Sequence, residues 1–213
     1  GGGKSLTTSW PVGEMIADNY GLAIPAGAPP GEHILRIGLY GLDDGVRLPL
    51  TAGDGGLPDA LDLVTLWVQR APTPPAVASL DMDTADDRTW GAMRLLGHSL
   101  YPLGRRHEAT WQLHAGDAAE LLLFWQKEGE GSAPARWVLT LADRKGAAAW
   151  TQRFAPVGGA YPPTSWAAGE IVRDIYHLIL PPDLAPGVYR LRLSPEEDDK
   201  RSEYELGSIT LTP

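Results

Sequence analysis

Two sets of carboxylates stand beside tryptophans in this chain: Glu14 and Asp18 with Trp10, and Glu170 and Asp174 with Trp166. Within a strand, a spacing of four puts both acids of a set on one face, shared with Ile16 and Tyr20 in the first case and Val172 and Tyr176 in the second. Acceptor oxygens next to an indole ring suit a sugar, its hydroxyls donating to the acids and its ring stacked on the indole. A structural reading competes. In it Gly13-Glu14 and Gly169-Glu170 form turns, and each aspartate accepts backbone N–H groups at the end of a β-sandwich. Recurrence in two units with different flanks favours the structural reading. Glycoside hydrolysis needs carboxylates about 5–10 Å apart across a cleft, whereas four strand residues span about 13 Å. No catalytic residue is therefore assigned.

Other patterns that carry chemistry elsewhere are weak in this chain. Gly3-Lys4-Ser5 lacks the earlier glycine and the preceding strand of a phosphate loop. Gly97-His98-Ser99-Leu100-Tyr101 lacks the last glycine of a nucleophile elbow and reads as strand. Asp81-x-Asp83-x-x-Asp86-Asp87 has no calcium-loop glycine or distal glutamate and reads as a solvated acidic linker. The five histidines show no zinc spacing, and cysteine is absent, so no metal and no cofactor is expected.

The elements that must position these residues are announced by a repeat. Thr8-Ser9-Trp10-x-x-Gly13-Glu14-x-x-x-Asp18-x-Tyr20-x-Leu22 returns without a gap as Thr164-Ser165-Trp166-x-x-Gly169-Glu170-x-x-x-Asp174-x-Tyr176-x-Leu178, at a constant offset of 156 (Trp10 to Trp166). The match continues through Pro25/Pro181, Pro30-Gly31/Pro186-Gly187 and Leu35-x-Ile37/Leu191-x-Leu193. Tyr189 opens a strand three residues after Pro186, where immunoglobulin-like sandwiches keep a corner tyrosine bonded to nearby backbone; His33 holds that place in the first copy. Residues 90 to 163 have no counterpart before Thr8, so the first copy is expected to be completed by other surfaces or by sequence upstream of Gly1.

With 25 Gly and 19 Pro in 213 residues there is little room for long helices. Short alternating runs bounded by turn residues, such as Ala109-x-Trp111-x-Leu113 and Trp137-x-Leu139-x-Leu141, are those of an all-β protein. The expected fold is an antiparallel β-sandwich, immunoglobulin-like or jelly-roll-like. It comprises a half unit over 1–70 with strands near 14–24, 32–40, 45–50 and 62–69, a Pro/Asp-rich linker over 71–89, and a complete unit over 90–213. Half a sandwich leaves an apolar face open, so 1–70 is expected to pack on the second unit, on another copy of the chain, or on a missing segment.

A net charge of −9 without basic clusters disfavours nucleic acid and anionic membranes. The longest apolar run, Leu121 to Trp125, is far short of the ~20 residues that span a bilayer, and no signal peptide opens the chain; any anchor is expected outside this sequence.

The repeated phrase, followed by Leu-x-x-Pro, Pro-Gly, an alternating strand and Gly38-Leu39-Tyr40, resembles the soluble C-terminal β-domains that follow multi-spanning glycosyltransferase-like membrane proteins in some bacteria. The resemblance covers nearly all of 8–70 and 93–213, and the second copy departs from it at Ser194-Pro195. It implies an extracytoplasmic location and a membrane-embedded catalytic part outside this chain. Two functions are then expected to compete: a non-catalytic module that binds or positions glycan, and a scaffold for protein assembly.

Overall fold

The computed structural model describes residues 9–17, 19–39, 47–49, 59–103, 112–197 and 202–212. In chain order the strands are β1 (Gly31–Ile37), β2 (Leu61–Val68), β3 (Thr84–Trp90), β4 (Met93–Pro102), β5 (Gln112–His114), β6 (Ala118–Lys127), β7 (Trp137–Ala142), β8 (Ala148–Phe154), β9 (Ile171–Ile179), β10 (Gly187–Pro195) and β11 (Tyr204–Thr212). Among the described residues there is no α-helix, as the glycine and proline content leads one to expect.

A five-stranded sheet β5-β11-β10-β7-β8 packs on a four-stranded sheet β3-β4-β6-β9, and β1 and β2 form a separate two-stranded ribbon. Every pairing is antiparallel except β5 with β11. The sandwich core is a ladder of alternate residues: Leu121, Leu123 and Trp125 of β6 and Val172, Tyr176 and Leu178 of β9 meet Leu139, Leu191 and Ile209 of the opposite sheet. At its centre Trp137 sits 5.0 Å from Trp90 and 4.7 Å from Trp125, centroid to centroid, and such aromatic contacts add about 0.5–1.5 kcal/mol each beyond area burial.

The continuous apolar run Leu121 to Trp125 is explained by burial on both faces of β6. Its outward residues Leu122 and Phe124 join Leu80, Leu96, Tyr101 and Ile171 in a second cluster, roofed by Ala26 and Met82. Part of the expected linker is thus structural. Residues 84–89 are not linker but most of β3, and Leu80 with Met82 covers the sheet. The Asp86 side chain is buried rather than solvated: it accepts the Tyr204 hydroxyl at 2.7 Å and faces His98 Nδ1 at 2.5 Å, joining β3 and β4 to β11 across the sandwich. At Gly97 a β-bulge on β4 brings backbone so close that an added Cβ would stand 2.5 Å from Thr84 O and nearer still to Met82 Sδ.

Turns, a corner contact and a hairpin register recur at matching positions of the two phrases, and the likeness continues past the phrase into the ribbons. The Pro11–Glu14 turn, with Gly13 at φ 82°, matches Ala167–Glu170, with Gly169 at φ 77°. The Ala28-to-Pro25 turn matches Leu184-to-Pro181. His33 Nε2 lies 2.9 Å from Pro29 O as Tyr189 Oη lies 2.8 Å from Ala185 O, the same ring-to-backbone corner built from two side chains. Ribbon β1-β2 matches β10-β11 residue for residue, Gly31 opposite Val68 as Gly187 is opposite Leu211, with a bulge between Leu35 and Arg36 as between Leu191 and Arg192. The offset of 156 along β1 and β10 falls to 143 along β2 and β11 (Leu61 to Tyr204), because the first hairpin connection is longer.

The two copies part where sheet neighbours differ. Residues 171–179 form β9 by pairing with β6 over nine positions, whereas the described residues among 14–24 form no strand, and neither do residues 47–49. A strand is made by its partners, and among the described residues nothing plays β6 to the first copy.

Candidate functional site

Around Trp166 the chain turns twice. A short 3₁₀ turn, Pro163–Ser165, delivers the indole into the core, and the Ala167–Glu170 turn then starts β9. Trp166 is 5 % exposed and its indole N–H donates to Tyr161 O at 3.0 Å. It is a core residue, not the open stacking platform the sequence suggested, because the turn aims it inward.

Glu170 lies one residue before β9 and does not share a strand face with Asp174. One carboxylate oxygen accepts the Ala167 N–H at 2.7 Å and the other the Tyr161 hydroxyl at 2.8 Å, while Arg70 Nε approaches to 3.2 Å. Arg70 also donates to the Tyr161 hydroxyl and to Ser165 O at 2.7 Å. Arg70 and Tyr161 were not legible as site residues: nothing in the sequence links positions 91 apart.

Asp174 points inward beside Tyr176, opposite Leu123 on β6. It accepts the Val157 N–H at 2.9 Å and the Tyr176 hydroxyl. Val157 is held at φ 53°, a left-handed conformation costly for a β-branched residue, with Gly158 and Gly159 following at φ 59° and 84°. Burial pushes the Asp174 carboxyl up to about 7, against the pull of the Tyr176 hydroxyl and the Val157 N–H. The Tyr176 hydroxyl is itself driven upward by burial and by the carboxylate beside it. Both acids of the second set are thereby engaged in holding turns, and they do not converge on a shared cleft.

In the first copy Trp10 is half-buried and Glu14 exposed at its turn; Asp18 lies outside the described residues. The position equivalent to Tyr161 is Ser5, also outside them. Among the described residues no three His, Asp or Glu side chains converge as metal ligands, and no helix is long and apolar enough to cross a membrane.

Two surface features remain. One is a groove of about 400 Å³ between the copies, lined by Pro25, Gly27, Val68, Pro74 and the Arg70–Glu170 pair. The other is an apolar surface. Tyr20, Leu22 and Leu66 are 69 %, 65 % and 42 % exposed, while their equivalents Tyr176, Leu178 and Ile209 are 8 %, 2 % and 0 % exposed. Ile24, Ile37 and Leu63 repeat the contrast against Leu180, Leu193 and Leu206. The side chains that form the core of one copy therefore stand in solvent in the other.

No protein-family model and no curated protein matches the chain. Among solved structures, the crystal structure of the C-terminal domain of Wzt is similar over 60 % of this chain and 79 % of that one, at 11 % identity and a TM-score of 0.38. A likeness of that degree carries no argument about function, and the resemblance to β-domains of glycosyltransferase-like membrane proteins gains no support from family models.

Proposed function

We propose that this chain is a non-catalytic β-sandwich module whose task is assembly, its first copy presenting a preformed apolar half-sandwich to a protein partner. One observation carries this reading: a ribbon identical in register and bulge to β10-β11 exposes the residues that β10-β11 buries. An exposed apolar surface of this extent marks an interaction site. The engagement of Glu170 and Asp174 in turn-holding bonds supports a role without catalysis. The test is dye binding to the dilute chain. An anilinonaphthalene dye is expected to bind, and Leu22→Ser with Leu63→Ser and Leu66→Ser to abolish the signal while leaving near-ultraviolet circular dichroism of the tryptophan core intact. A wild-type chain that binds no dye would end the proposal.

A glycan-binding or glycan-positioning role, as an accessory of a membrane glycosyltransferase-like protein, is a second reading. What supports it in the structure is the groove, where Arg70, Glu170 and Tyr161 place charged and hydroxyl groups in a proline-lined trough. Retention on polysaccharide columns that is lost in Arg70→Ala is its expected signature; a wild type that is not retained would remove it. An extracytoplasmic location follows from the sequence resemblance alone and is checked by fractionating cells that express the parent gene.

A further inference from the structure

We infer that the open edge of β1 docks a second copy of this chain, β1 pairing antiparallel with β1 of the partner subunit about a two-fold axis at Ile34. The inference rests on the assembly reading and adds to it a second copy at the ribbon's edge, the apolar faces of the two copies standing side by side.

The template lies within the chain. Along the edge away from β11, β10 carries the antiparallel strand β7, with Arg190 opposite Ala142 through to Pro195 opposite Trp137. The equivalent stretch of the first copy is residues 34–39, and among the described residues no strand runs beside it; a single bond from Leu48 N–H reaches Leu39 O. An edge that, among the described residues, has no strand beside residues 34–37 is a site for strand addition.

Charge selects both the neighbour and the register. Antiparallel self-pairing centred on Ile34 sets Ile34 opposite the partner's Ile34, His33 opposite the partner's Leu35, and Glu32 opposite the partner's Arg36. It is the only self-register of β1 that brings Glu32 and Arg36 together, and the two-fold axis makes that pair twice. Arg36 already bonds Asp62 at 2.5 Å on its β2 side, so the dimer would seat each guanidinium between two carboxylates. Leu35, Val64 and Leu66 share one face of β1-β2, and the four-stranded sheet joins the two copies of that face into one surface.

The chain has no cysteine, so a single introduced thiol reports the register. Ile34→Cys is expected to form a disulfide-linked dimer under mild oxidation, because residues opposite each other on an antiparallel pair lie about 4.5–5.5 Å apart at Cα, within disulfide reach. Trp67→Cys, exposed on β2 away from the axis, is expected not to link. In sedimentation at about 1–100 µM the wild type is expected to be a dimer, and Glu32→Lys to raise its dissociation constant at least about tenfold by facing lysine with arginine. All three substituted positions are exposed, so circular dichroism should not change. A wild type that remains monomeric, or a dimer linked through position 67 rather than 34, would overturn the inference. A monomer that still binds the dye would leave the assembly reading standing with a different partner; a monomer that binds none would remove both.

Discussion

Asp174 makes the stability of the sandwich depend on pH in a direction opposite to that of most carboxylates. Its carboxyl is 1 % exposed, and burial raises it from 3.8 to about 7. Between those limits the folded chain keeps a proton that the unfolded chain has released, so stability falls as pH rises and levels off above about 7. At about 1.4 kcal/mol per pH unit, the window from 3.8 to about 7 corresponds to a loss of about 4 kcal/mol. Asp174→Asn keeps an acceptor for the Val157 N–H and an amide facing the Tyr176 hydroxyl, but cannot titrate. Urea unfolding of both proteins at several pH values isolates the effect, because distant groups cancel in the difference. Relative to the variant, the wild type is expected to lose about 3 kcal/mol between pH ~4.5 and ~8. A difference that stays constant over that range, or wild type gaining on the variant as pH rises, would refute the assignment of a buried, proton-retaining Asp174.

Two further outcomes follow from packing. Gly97→Ala drives a methyl group into Thr84 O and Met82, and should cost about 1–3 kcal/mol in urea unfolding, because backbone rather than a flexible side-chain end must move. Trp166→Ala removes a core indole and should cost about 3–5 kcal/mol, with no specific loss of polysaccharide retention when assayed on the folded fraction.

The fold was legible wherever local pattern and sheet partners agreed. Alternation at Trp137-x-Leu139-x-Leu141 and the double apolar run at Leu121 to Trp125 became β7 and β6 because each had neighbours on both sides. The corner at Tyr189 was legible from Pro186-Gly187, and His33 forms the same contact. The described residues among 14–24 carry the pattern of β9, but among the described residues no strand stands to them as β6 does to β9, and they form no strand. Thr84–Trp90 was hidden for the opposite reason: its acids read as solvated, and what buries Asp86 are partners 12 and 118 residues away. The β2/β11 equivalence is not legible in the sequence, because the offset changes across the hairpin connection and only Leu63/Leu206 is identical. Of the candidate site, the turn at Gly169-Glu170 was readable from the repeat, while the Arg70–Tyr161 bracket around Glu170 depends on folding alone.

The most direct test compares two truncations that are equivalent by register, made in separate chains and measured by chemical unfolding at concentrations low enough to keep the protein monomeric. Ile209→Ala empties a fully buried site and should cost about 2–5 kcal/mol, whereas Leu66→Ala, at the matching place on the open ribbon, should cost less than about 1 kcal/mol. If Leu66→Ala proves as costly as Ile209→Ala in the monomer, the first ribbon is already covered, and a half-sandwich awaiting its partner is the wrong description of this chain.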